Sequence, residues 1–206
     1  MVAWGGAASK MRIIAGREKG RRLRAVRGRS VRPTSSRART VLFDILAPRI
    51  SGCRFLDLYA GVGAVGLEAL SRGAAFAAFV EANEKACRAI TENIESVGMK
   101  EQAEVIWKRA QPALKLLAER GEKFDIVFLD PPYAAERETR AALEYLGEGD
   151  LLADGAVVVW QHFSKTEMAA RIGRLEITDR RRVGDTCFSF FEVVSNRAGG
   201  KLLPYG

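Results

Sequence analysis

A chain of 206 residues is long enough for one full-sized domain with a modest appendage but short for two independent domains. With 48 % apolar and 28 % charged residues it is not predominantly disordered, and no apolar run approaches the roughly 20 residues of a membrane span. The net charge of +8 is one-sided: residues 1–49 hold 13 Lys and Arg against 2 acids, leaving 20 against 23 in the other 157, which is the footprint of a polyanion partner unless the block is only a solvated tail.

Residues 1–10, rich in Gly and Ala, read as a flexible leader without an export signal, so residence in the cytoplasm is expected. Residues 11–50 read as a basic N-terminal extension. Met11 to Ala15 and Arg21 to Val26 are short strand-like runs around Gly16, Lys19 and Gly20, predicting a basic hairpin. Arg27 to Arg32 continues as a positively charged loop, punctuated by Pro33 and Thr34. Ser35 or Ser36 then caps a helix on which Ala38, Val41, Leu42, Ile45 and Leu46 recur at helical spacing, with Pro48 expected to stop it.

Residues 51–195 change texture to strand, glycine turn and helix in repetition, which predicts an α/β fold with an open parallel sheet covered on both faces. The predicted strands are Arg54 to Leu58, Phe76 to Glu81, Ala103 to Trp107, Phe124 to Leu129 and Ala156 to Trp160. Helices are predicted over Val65 to Ser71, Glu84 to Val97, Gln111 to Arg120 and Glu136 to Leu146. Leu175 to Val183 and Cys187 to Val194 are separated by a link too short for a parallel crossover, so the sheet is expected to end in an antiparallel pair. Residues 196–206 read as a tail. Cys53, Cys87 and Cys187 lie far apart without a C-x-x-C pair, and Cys87 and Cys187 fall in apolar patterns as buried thiols. The sole histidine, His162, is expected on the surface or in a loop, and no metal site is expected.

Gly61-Val-Gly63-Ala-Val-Gly66 follows the first strand and opens a helix, the context of a nucleotide-binding turn. NAD enzymes and methyltransferases share this pattern, and Gly66 is open to a purely packing role. Asp57 can set the turn by accepting backbone hydrogen bonds or bind the charged amino-acid part of a ligand. Glu81 ends the second strand 15 residues past Gly66, where a carboxylate can accept both hydroxyl protons of a ribose, so an adenosine-containing ligand is expected. Asp130-Pro-Pro-Tyr133 stands at the carboxyl end of the fourth strand, where open α/β sheets bind ligands. An exocyclic base amine is a poor nucleophile because its lone pair is delocalised. Asp130 and the Pro131 carbonyl can each accept one of its N–H bonds and aim it at an electrophilic methyl group. Pro132 stiffens the loop, and Tyr133 offers a face on which an extruded base can stack.

At these residues the chain resembles the bacterial small-subunit ribosomal RNA guanine-N(2)-methyltransferases of the RsmD type, within the wider D-P-P-Y amino-methyltransferases. The likeness runs from Met11 to about Val194 through Met11-Arg-Ile-Ile-Ala-Gly16, Arg32-Pro-Thr34 with Arg37 and Leu42-Phe43, Leu56-Asp-Leu-Tyr-Ala-Gly61, Leu67-Glu-Ala-Leu-Ser-Arg-Gly73 and Asp130-Pro-Pro-Tyr133. It implies a Rossmann-like methyltransferase sheet of seven strands and S-adenosylmethionine as donor. It also implies a monomer without membrane attachment acting on one guanine of 16S rRNA in an assembled small-subunit particle. Asp57, Tyr59, Ala60, Gly61, Gly63, Glu81 and Ala82 would hold the donor. Arg12, Arg17, Lys19, Arg21, Arg22, Arg24, Arg32, Thr34 and Arg37 would contact RNA. Arg109 stands where this superfamily often has an acidic or amide residue near the adenine, Asn83 where an acid is often found, and Gln161 where the family commonly has Glu.

The bare motif does not choose the acceptor: an adenine 6-amino group or a protein glutamine amide is equally planar. From another class, a nicotinamide oxidoreductase would use the same glycine turn but needs a proton donor that His162 alone is poorly placed to supply. A non-catalytic RNA-binding protein would explain the charge block and leave Asp130 to Tyr133 unexplained.

Overall fold

A computed structural model describes residues 11–25, 34–132, 135–166 and 169–194. Five helices, α1 (Ser36–Ile50), α2 (Ala64–Ser71), α3 (Glu84–Ser96), α4 (Ala110–Glu119) and α5 (Glu136–Glu148), pack on one mixed sheet. Its strands are β1 (Arg54–Asp57), β2 (Phe76–Glu81), β3 (Ala103–Trp107), β4 (Phe124–Leu129), β5 (Leu152–Phe163), β6 (Arg171–Ile172), β7 (Leu175–Val183) and β8 (Thr186–Val193). The order is β3-β2-β1-β4-β5-β8-β7-β6; the first five are parallel, and β8 runs antiparallel between β5 and β7.

Successive residues of the central strands feed two cores, one on each face. Phe55, Phe79, Phe128 and Val159 pack toward α1, α2 and α3, while Leu56, Val80, Leu129 and Val158 pack toward α4 and α5. Strands buried on both sides read as unbroken apolar runs, which is why the parallel strands were visible in the sequence.

Three expectations need correction. The sheet has eight strands, not seven, because the two-residue β6 pairs with the start of β7. The strand expected over Ala156 to Trp160 extends at both ends, since Leu152 pairs with Phe124 of β4 and β8 pairs with the strand as far as Phe163. Pro48 does not stop α1: a proline removes only its own N–H bond, and the last turn is anchored by Ile50, 2 % exposed.

The N-terminal hairpin forms, with Arg12 bridged to Arg22 and main-chain bonds from Ile13 N to Arg21 O (3.0 Å) and Leu23 N to Met11 O (2.9 Å). So short a ladder is marginal alone. Side chains of the sheet-covering helices bond to further groups of its backbone. Glu68 of α2, fully buried, accepts from Ile14 N (2.7 Å) and Ala15 N (2.9 Å). Ser71 donates to Ala15 O (2.6 Å) and accepts from Glu18 N (3.1 Å). Asn93 of α3 accepts from Arg24 N (2.7 Å) and donates to Arg24 O (3.2 Å) and Val62 O (3.0 Å). Gly16 (φ 82°) passes so close to α2 that a Cβ there would lie 1.9 Å from Ser71 O. Buried Arg39 of α1 completes the joint by donating to Arg12 O (2.9 Å).

Among the described residues, β6 pairs with only the first two residues of β7 and no other strand lies on that outer side. Arg180, Arg181 and Arg182, all exposed, lie on this open stretch, a charge pattern that blocks edge-to-edge pairing. Among the described residues, no helix is long and apolar enough to cross a membrane.

Candidate active site

The carboxyl ends of β1, β2, β4 and β5 lie side by side, because β1 and β4 are sheet neighbours although 66 residues separate Asp57 at the end of β1 from Lys123 before β4. Between β1 and α2 the chain turns at Gly61 (φ 59°) and Gly63 (φ 80°), conformations that side-chain-bearing residues rarely adopt. Asp57, 2 % exposed, accepts from Gly66 N at 3.0 Å and so fixes the start of α2. Gly66 is also a close approach: a Cβ would sit 2.3 Å from the Phe79 ring. Of the two roles open to Asp57 in the sequence, turn-setting is realised in this geometry.

Glu81 closes the turn from the next strand, its two oxygens accepting from Gly61 N (2.9 Å) and Asn83 N (2.8 Å). Ala60 N donates to Val80 O (2.9 Å), and the exposed Ala82 presents its carbonyl to Trp107 Nε1 (3.1 Å). Tyr59 is half-buried against the α4–α5 core, and burial pushes its phenol up. The seven residues expected around a donor therefore meet at one sheet edge.

Asp130 follows β4 on the other side of β1. Its Oδ2 accepts from the Thr34 hydroxyl at 2.9 Å, and the same hydroxyl lies 3.1 Å from Gln161 Oε1 at the end of β5. Burial pushes the Asp130 carboxyl up to about 7, with the Thr34 hydrogen bond pulling the other way. Asp57 is likewise pushed up to about 7 by burial, opposed by its bond from Gly66 and reinforced by the charges of Asp130 and Glu81. Next to Asp130 a small cleft open to solvent is lined by Pro131, Pro132, Thr139, Trp160, Gln161 and His162, among others.

Of the residues expected to contact RNA, Arg12, Arg17, Lys19, Arg21, Arg22 and Arg24 are all exposed on the docked hairpin. Arg21 pairs with Glu18 (3.2 Å), Arg24 with Glu92 (2.9 Å), and Arg17 reaches Gln102. Arg37 is exposed at the start of α1, whereas Thr34 faces Asp130. Arg32 and Tyr133 lie outside the described residues.

His162 corrects a sequence expectation. It is a strand residue, 8 % exposed, with Nε2 at 2.9 Å from Ser189 Oγ and Nδ1 at 2.8 Å from Phe163 O, and burial lowers its pKa. The strand was predicted to end two residues earlier, so its burial had no signal. Sequence reasoning also missed Trp107, 61 % exposed beside Glu81 in the β2–β3 register. A large apolar residue ending a strand next to the glycine-turn acid is the signal that could have found it. Asn83 caps α3 by accepting from Ala86 N (3.0 Å), and exposed Arg109 occupies the N-cap position of α4.

An all-parallel dinucleotide sheet would continue in one direction past β5. Here β8 reverses between β5 and β7, while the glycine turn and its strand-end acid stay in place, and this is the Rossmann-like fold of S-adenosylmethionine-dependent methyltransferases. The family model described as "Conserved hypothetical protein 95" matches residues 11–192. The chain is 35 % identical to the candidate rRNA methyltransferase YlbH of Bacillus subtilis over 88 % of its own length and 98 % of that protein's. It is 36 % identical to ribosomal RNA small subunit methyltransferase D of Escherichia coli K12, covering 72 % of this chain and 73 % of that one. A solved structure of the candidate methyltransferase yhhF from Escherichia coli superposes with a TM-score of 0.76 at 29 % identity, covering 90 % of this chain and 99 % of that one. The chain belongs to this RsmD-type family of rRNA methyltransferases.

Proposed function

We propose that the protein methylates the exocyclic 2-amino group of one guanine in 16S rRNA, using S-adenosylmethionine as donor. The observation that carries the reading is the position of Asp130: a half-buried carboxylate heading an Asp-Pro-Pro loop, one strand away from the glycine turn and beside a cleft lined by Pro131 and Pro132. Family relatives named as small-subunit rRNA methyltransferases support the RNA class. The hairpin's exposed Arg12, Arg17, Lys19, Arg21, Arg22 and Arg24, continued by Arg37, supply the phosphate-binding surface.

The residues present fit the donor. Asp57, Glu81 and Asp130 gather three carboxyls, two of them pushed up to about 7, a charge environment that a cationic ligand relieves. Gly61 offers room, since a Cβ there would meet nothing within 4 Å. Glu81 would accept the ribose hydroxyls, with Asp57, Tyr59, Ala60, Gly63 and Ala82 completing the turn. S-adenosylmethionine supplies a methyl group on a sulfonium leaving group.

Asp130 and the Pro131 carbonyl hold the amine by its two N–H bonds, freeing its lone pair for attack, and Tyr133 stacks on the extruded base. When the new N–C bond forms and the C–S bond breaks, the nitrogen becomes acidic. A carboxylate raised to about 7 is matched to take that proton near neutral pH. The reading places a monomeric enzyme in the cytoplasm, acting on an assembled small-subunit particle. Incubation with labelled donor and small-subunit particles from cells lacking the protein, followed by mass-spectrometric mapping, tests it. Label on a guanine 2-amino group is the expected result; label on an adenine, on a protein glutamine, or nowhere refutes it.

A further inference from the structure

The N-terminal extension does more than face solvent, because one of its side chains ends at the catalytic loop. Thr34 Oγ1 lies 2.9 Å from Asp130 Oδ2 and 3.1 Å from Gln161 Oε1. A hydroxyl has one proton and cannot donate to two acceptors. Carboxamide oxygen and nitrogen are distinguished only by their hydrogen bonds, and turning the Gln161 amide resolves the conflict. Gln161 then donates to Thr34, and Thr34 donates to an ionised Asp130, a chain in which each bond polarises the next. With Asp130 protonated the chain runs the other way, and the carboxyl proton points at Thr34.

The position of Thr34 is itself fixed. The next residue, Ser35, caps α1 by accepting from Ala38 N at 3.1 Å, and α1 is tied to the hairpin through buried Arg39. Thr34, directly before that cap, therefore cannot drift from Asp130 without straining the capped start of the helix.

We propose that Thr34 is a positioning residue: braced by Gln161, its hydroxyl occupies one oxygen of Asp130, keeps the carboxylate ionised and leaves the other oxygen for the substrate amine. The proposal rests on Asp130 being the amine acceptor. Thr34 is the group that draws Asp130 down against burial. The carboxyl facing Asp130 from the neighbouring strand is Asp57 of β1, whose own pKa is raised first by burial and further by the charges of Asp130 and Glu81. Removing the hydroxyl leaves the effect of burial unopposed, so Asp130 titrates at higher pH and the acid limb of the rate profile moves up.

The test uses Thr34→Val and Thr34→Ser in the full chain. Single-turnover methylation with saturating donor and particle, across about pH 6 to 9, should slow about ten- to hundredfold in Thr34→Val near neutrality, the range for one hydrogen bond to a charged group, and recover as pH rises. Thr34→Ser should restore most of the rate, and donor and particle affinities should stay within about twofold of wild type. A loss confined to particle affinity, or a slowed rate with an unmoved pH profile, overturns the proposal. Carbon-13 NMR titration of Asp130 in the donor-free protein, identified through Asp130→Asn, provides a readout that needs no methyl acceptor. A raised midpoint in Thr34→Val supports the coupling even if no guanine is methylated, in which case the proposed function alone fails. An unmoved midpoint sinks the proposal even in an active enzyme.

Discussion

Glu68→Ala is expected to separate hairpin docking from donor binding. Glu68 is fully buried in α2, accepts from Ile14 N at 2.7 Å and Ala15 N at 2.9 Å, and pairs with Arg72 Nε at 2.8 Å. It is also the opposite charge acting on buried Arg39, whose pKa burial lowers. Alanine leaves two main-chain donors unmatched at about 1–3 kcal/mol each and breaks a buried charge pair, at about 3–5 kcal/mol. These overlap, since the hairpin can swing out and let water reach both donors, so the expected loss is about 3–5 kcal/mol rather than the sum. For a chain of this size that is a fall in Tm of roughly 10 °C. Urea denaturation and a thermal scan measure it, and Glu68→Gln, which keeps one acceptor, should fall between alanine and wild type. Donor affinity should persist while RNA affinity drops. A loss below about 1 kcal/mol, with RNA affinity intact, would refute the view that α2 holds the hairpin in place.

Gly66→Ala should cost about 1–3 kcal/mol, because the added methyl would sit 2.3 Å from the fully buried Phe79 ring; an unchanged denaturation midpoint would show the space is not closed. Donor affinity should rise with pH up to about 7 and then level off, since Asp57 and Asp130 are held near 7 and a cation bound beside them releases their protons. The slope should not exceed about one decade per pH unit per carboxyl, and calorimetry showing no proton release at pH 6 would contradict it. Neutralising Arg21, Arg22 and Arg24 together should weaken RNA binding and lower its salt slope by about 0.7 to 0.9 per lost phosphate contact, with donor affinity unchanged; an unaltered slope would make the hairpin a solubilising surface.

Phe76 to Glu81 and Phe124 to Leu129 could be bounded to the residue from sequence because each is a largely apolar run in the middle of the sheet ended by a turn, while the edge strand Ala103 to Trp107 was marked by its β-branched and aromatic residues. The glycine turn and Asp130 were legible for a related reason: a strand end is local. What stayed hidden is long-range. Nothing near Thr34 announces that its hydroxyl meets a carboxylate 96 positions away, and Glu68 reads as an ordinary charge in a short helix until the hairpin folds onto it. β6, with two residues, is too short to show alternation. His162 was misplaced because the length of β5 is set by its partner β8 rather than by its own composition.

Charge explains why the extension must be held rigidly rather than tethered. Asp57, Glu81 and Asp130 make the inner edge of the site acidic, which suits a cationic donor and repels an RNA backbone. A polyanion brought to that edge needs cations close by, yet cations within the site would compete for the same carboxylates. The fold separates the two. The hairpin arginines are exposed while its backbone is bonded to Glu68, Ser71 and Asn93, and the uncharged Thr34 reaches Asp130. A threonine can hold a carboxylate without neutralising it, so in the proposed reaction Asp130 would keep the charge with which it accepts the substrate N–H bond. An arginine or lysine in its place would form an ion pair, drive the carboxyl pKa down and remove its capacity to take a proton near neutral pH.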